Sequence, residues 1–150
     1  MPVESAQRIA SAVTPAVMVS ACGLIALGLD NQAARMANRL RELTREFRDP
    51  SRPTERQPML AEQIRVLGRR HQLYATALLL NYAALLAFVV TSLLYLAQGV
   101  VALPSAAPIV AFTIGVVLLG AMALFVLSSL RLARSALLLE QNRTLRPREA

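Results

Sequence analysis

The sequence predicts an all-α integral membrane protein: three transmembrane helices with helical cytoplasmic extensions that form a hairpin. Two uncharged runs carry that prediction, Ile9–Leu29 with 21 residues and Gln72–Leu130 with 59. All sixteen arginines lie outside them. The chain is 55% hydrophobic, yet its net charge is +7 over 150 residues and its mean hydropathy is +0.48. An ordinary soluble domain is less apolar, and a chain both apolar and basic must segregate the two characters along its length. The length suits one compact unit, not two domains. A single cysteine excludes an intrachain disulfide framework and a cysteine-based zinc cluster.

The first run gives roughly 31 Å of helix, about one hydrocarbon core. The second run is too long for one crossing but fits two spans and a tight turn. Gln98-Gly99, followed by Pro104, Ser105 and Pro108, supplies the turn signal. The expected spans are therefore about 9–29, 73–97 and 108–130, with Pro108 in a first turn where its missing N–H costs nothing. Membrane strands need ten-residue alternation, and these runs are apolar on every face.

Arginine placement sets the orientation. Residues 30–72 carry ten arginines and the stretch after the third run carries five, whereas the N-terminal stretch has only Arg8. The positive-inside rule makes both rich segments cytoplasmic and the N-terminus external. Val19-Ser20-Ala21-Cys22-Gly23 looks like a lipobox. Cleavage there would leave ten arginines outside, and the apolar run continues to Leu29, so Cys22 reads as a small buried helix residue.

The helical pattern continues past Asp30. Met36, Leu40, Leu43 and Phe47 fall on one helical stripe, and Leu60, Ile64, Leu67 and His71 on another. Between them Pro50, Pro53 and Pro58 break the helix. The two stripes read as an antiparallel pair, with Phe47 near Leu60 and Met36 near His71. Leu132, Ala136 and Leu139 extend the third span in the same way.

The order Thr14-Pro15-Ala16-Val17, Ser20-Ala21-Cys22-Gly23-Leu24, Asp30-Asn31 and Arg39-Leu40-Arg41-Glu42-Leu43 is distinctive, as is the closing Ser128-Ser129-Leu130-Arg131-Leu132-Ala133-Arg134-Ser135-Ala136-Leu137. Together they resemble a bacterial family of small three-span membrane proteins of unknown function (domain of unknown function, twenty-seven twenty-one), over about residues 6–140. Members of that family often carry an acid just before the arginines that end span three, where Ser128 and Ser129 stand here. The resemblance implies an architecture and no catalytic residues.

The residues themselves offer little chemistry. A nucleophile needs a base in reach, but the lone Cys22 falls inside a span and the lone His71 at a helix junction. The spans hold no ionisable groups besides Cys22 and tyrosines, no metal-ligand cluster and no glycine-rich phosphate loop. No enzyme activity, cofactor or metal is expected. The arginines serve topology and lack interleaved aromatics, so nucleic acid is not an expected partner.

Polar and small residues remain. Asn81 lies inside span two, where its amide requires a partner and reads as interhelical glue. Ala12, Ala16, Ser20 and Gly23 form a ridge of small residues suited to a helix interface, either between subunits or within one on Ala111 and Gly115. Ser11, Thr14, Asp30 and Asn31 could line a polar path if subunits assemble into a channel. Arg41, Arg45 and Arg48 form a basic ridge able to meet anionic lipid. The expectation is a homo-oligomeric scaffold or assembly protein in the lipid bilayer, with an oligomeric ion channel or small transporter as the alternative.

Overall fold

The computed structural model describes the backbone of residues 2–49, 57–98, 100–101 and 104–144, and the side chains of 13–49, 57–98, 100–101 and 104–133. The described residues form three helices, α1 (Pro2–Arg48), α2 (Gln57–Ala97) and α3 (Ala106–Thr144), and no strand occurs among them. Each helix contains a segment long and apolar enough to cross a membrane. The protein is therefore an all-α, multi-pass membrane protein.

The helices run further than the apolar stretches alone require. α1 passes through Pro15 without a break. That ring removes one backbone donor, a loss that neighbouring helices make tolerable inside a bilayer. Pro58 does not precede α2, as the sequence suggests. It sits in its first turn, where an N–H would be unpaired anyway. The connection at 50–56, with Pro50 and Pro53, lies outside the described residues. After α2 the chain turns tightly: the Val100 and Val101 amides both donate to the Ala97 carbonyl, at 2.9 and 2.8 Å. The Gln98 side chain donates to the Pro104 carbonyl at 3.4 Å, and α3 starts two residues later with Pro108 buried in its first turn.

Helix α2 is the central element and packs along both α1 and α3. The buried positions recur every seven residues in all three helices. They are Pro15, Cys22, Leu29, Met36 and Leu43 in α1 with Ala26 beside them, and Leu60, the half-buried Leu67, Tyr74, Asn81 and Phe88 in α2 with Ala77, Ala84 and Thr91 beside them. In α3 they are Pro108, Gly115, Met122 and Ser129. A strict seven-residue period keeps one seam facing a neighbour as the helices wind around each other left-handedly.

One polar bond marks the register of α1 on α2. The Asn81 Nδ2 donates to the Cys22 carbonyl at 2.9 Å. Counting by sevens from that bond sets Pro15 level with Phe88, Leu29 with Tyr74, Met36 with Leu67 and Leu43 with Leu60. The packing agrees: Leu29, Met36, Tyr74, Ala77 and Met122 form one buried cluster with Leu67 against it, and Cys22, Ala84 and Phe88 form another. The sequence-based pairing of Met36 with His71 and Phe47 with Leu60 is thus one helical turn out of register. Phe47 is 40% exposed, and Leu43 is buried in its place.

Candidate functional site

The polar groups of the spans divide between a closed interior and an open outer face. Asn81 is fully buried between α1 and α2. Its amide nitrogen is satisfied by the Cys22 carbonyl, while its Oδ1 has no hydrogen-bond partner among the described residues. This is the interhelical bond expected of an intramembrane amide, worth roughly 0.6 kcal/mol on average in a bilayer. The hydroxyls of Thr91, Ser92, Thr113 and Ser128 each donate to the carbonyl four residues earlier, at 2.8 to 3.1 Å, and so present no free polar group to lipid.

Of the small-residue ridge, Ala16, Ser20 and Gly23 face away from the rest of the subunit, and the Ala12 side chain lies outside the described residues. A Cβ placed on Gly23 would meet nothing within 4 Å. On the other side of α1, Met18 packs against the cluster of Cys22, Ala84 and Phe88. The intrasubunit alternative, with the ridge on Ala111 and Gly115, is not what the structure has. Gly115 lies instead beneath Phe88, and a Cβ there would stand 2.7 Å from the ring's Cε1. Ala111 is half-buried.

The residues of the candidate polar path point outward as well. Thr14, Asp30 and Asn31 are exposed, and the Ser11 side chain lies outside the described residues. Asp30 has no ion pair among the described residues, Arg35 included. The inner side of α1 at this level is apolar, with Cys22, Ala26 and Leu29. These polar groups therefore line no passage within one subunit.

Arg41 and Arg45 border a shallow surface groove with Asn38, Glu42 and Glu46, and Arg48 is exposed. Because α1 is continuous here, Arg41 stands about 16 Å along the axis from Asp30. The headgroup layer extends only about 5–7 Å beyond the hydrocarbon on each side. Contact with lipid headgroups at Arg41 would require a strongly tilted helix.

Four features escaped sequence reasoning: the buried Ser129, the Phe88–Gly115 contact, the Phe88–Phe112 ring pair, and the unpartnered Arg70 Nε and His71 Nδ1. The rings of Phe88 and Phe112 stand 5.4 Å apart and tilted. Ser129 is fully buried, and its Oγ, like the buried Arg70 Nε and His71 Nδ1 atoms, has no hydrogen-bond partner among the described residues. Reading the apolar runs at a seven-residue interval would have found Gly115, Met122 and Ser129 together. Among the described residues, no three of His, Cys, Asp and Glu gather to hold a metal ion.

Three apolar helices, two of them packed along the central α2, with a buried amide bond between α1 and α2, define a small polytopic membrane protein. The chain belongs to the family described as "Protein of unknown function (DUF2721)", which matches residues 12–139, as the sequence resemblance implied. No curated protein and no solved structure matches it.

Proposed function

We propose that this protein is a non-enzymatic, self-associating scaffold or assembly protein of the bacterial inner membrane. In this reading the N-terminus is outside and the C-terminus cytoplasmic. The observation that supports it most is the outer face of α1, where Ala16, Ser20 and Gly23 are exposed with open space beside Gly23. In lipid, helices associate where small residues let backbones approach closely, because burying leucine gains little there. A ridge of that kind left uncovered within the subunit suits a contact outside it. The interior of the subunit, closed by apolar side chains and one satisfied amide donor, is suited to holding shape.

The test is native mass of the purified protein in mild detergent. Ala16→Leu or Ser20→Leu should lower the oligomer's mass while each subunit stays inserted and helical. Met18→Leu, on the packed side, should leave the mass unchanged. Unchanged mass in the ridge variants refutes this use of the ridge. The channel reading keeps one specific support, the outward exposure of Asp30 and Asn31 on the same helix. Those groups could ring a pore between subunits. Protein in liposomes that never dissipates an ion gradient removes that reading. Ion selectivity altered by Asp30→Asn would favour it.

A further inference from the structure

Helix α1 carries a second seven-residue pattern, directly opposite the one that packs on α2. Val17, Leu24, Asn31 and Asn38 fall at one position of the repeat, and Ser20, Leu27 and Ala34 at the other. On a wheel advancing about 100° per residue, this stripe lies about 180° from Cys22, Leu29 and Met36. Every member is exposed: Val17 is 60%, Leu24 74% and Leu27 62% accessible, and Ser20, Asn31, Ala34 and Asn38 are exposed too.

We infer that this outer stripe of α1, from Val17 to Asn38, is a parallel coiled-coil seam for α1 of a second copy of this chain. The inference rests on the self-association proposed above and names its surface and geometry. Copies inserted in one membrane share one orientation, so two α1 helices meeting on this face run parallel. In a parallel pair the inward positions of the repeat meet their own counterparts. Asn31 and Asn38 then face Asn31 and Asn38 of the partner, so amide meets amide, the arrangement that fixes register and favours two strands.

The flanks agree with this. In a parallel pair the residue just before one inward position faces the partner residue five places later. That relation joins Asp30 of one copy to Arg35 of the other, opposite charges on both sides of the two-fold axis. Both side chains are exposed, and neither has an ion pair within the subunit among the described residues. Gly23 and Gly28 occupy the same two flanking positions one turn pair earlier, within the membrane, and a Cβ at either would meet nothing within 4 Å. They leave room for close backbone approach. The seam spans about 33 Å of helix. It stops after Asn38, because the next inward positions, Arg41 and Arg45, would set like charges against each other.

The experiment uses the full chain in native membranes, with Cys22 replaced by alanine. The bond to Asn81 survives that change, because the Cys22 backbone carbonyl accepts it. Single cysteines are placed at Asn31, at Ala34 and, as an exposed control off the stripe, at Gln32. Oxidation should give disulfide-linked dimers at 31 and 34 and not at 32. Asp30→Arg alone turns two symmetry-related attractions into repulsions and should weaken the dimer about tenfold. Adding Arg35→Asp should restore it. Native mass of the unmodified protein is measured in parallel. An oligomer that cross-links at 32 as readily as at 34, or ignores the charge reversal, overturns the seam and leaves self-association standing. A protein that stays single in both detergent and membrane overturns both.

Discussion

Gly115→Ala offers a test of the α2–α3 packing with an internal control. A methyl group at Gly115 would lie 2.7 Å from the Phe88 Cε1 and 2.9 Å from its Cζ. Ordinary contact begins near 3.4 Å, so the ring would have to retreat by roughly 0.7 Å. Phe88 is fully buried and Phe112 stands against it, which leaves little room to yield. Overpacking of this kind costs about 1–3 kcal/mol. Against it stands the better helix propensity of alanine, up to about 1 kcal/mol. Gly120, five residues along the same helix, is exposed and has nothing within 4 Å of its prospective Cβ. Gly120→Ala therefore reports propensity alone and should be neutral or slightly stabilising. The difference between the two variants, about 1–3 kcal/mol, isolates the ring contact. The assay is reversible unfolding in mixed detergent micelles, followed by helicity. Phe88→Leu removes the ring edge, so in that background Gly115→Ala should lose its penalty, a coupling between neighbours of about the same size. Equal stability of Gly115→Ala and Gly120→Ala would refute the placement of Phe88 over Gly115.

Asn81→Leu removes one interhelical bond together with one unpartnered oxygen, so it should change stability by less than about 1 kcal/mol in the same unfolding assay. Asn81→Asp puts a carboxylate in the same buried place and should cost about 3 kcal/mol, read as lower insertion and a lower unfolding midpoint. Reporters fused at Ala150 and inserted at Arg52 should both read cytoplasmic, and one at Val101 should read external. An external signal at Arg52 would reverse the orientation and revive lipidation of Cys22. Leu43→Ala, at a buried position of α1, should destabilise by about 2 kcal/mol or more, whereas Phe47→Ala should cost much less. Equal losses at the two positions would move the register back by a turn.

The three apolar crossings were legible because hydropathy and charge vary on the scale of a whole helix. Runs of 21 and 59 uncharged residues with a Gly- and Pro-containing turn leave few other architectures. The register was not legible. Within an apolar run every offset looks acceptable, and the stripe Met36–Phe47 invited a pairing one turn away from the one adopted. What sets the pairing is steric and polar detail: a ring at Phe88 that needs Gly115 beneath it, and an amide at Asn81 that needs the Cys22 carbonyl. Neither requirement shows in an average over side chains. The candidate ridge was legible in part. Its outward direction follows from which neighbours satisfy Cys22, Ala26 and Leu29, and that is a property of the packed helices.

The two faces of α1 show what replaces hydrophobicity as the organising signal in this chain. The outer face carries Val17, Leu24 and Leu27, and the inner face carries Cys22, Ala26 and Leu29. By hydropathy the outer face is at least as apolar, so an aqueous rule would bury it first. In lipid that preference disappears, and the face that packs is the one whose groups close against a neighbour in size and in hydrogen bonding. Cys22 and Ala26 are small enough to admit α2, and the Cys22 carbonyl receives its amide. Toward the C-terminal end of α1, where the apolar run gives way to arginines, apolar burial regains its force, which is why Met36 and Leu43 are buried and Arg41 and Arg45 are not. The same helix thus obeys two rules along its length. A partner surface on it is to be sought where small residues and amides share one stripe across that boundary.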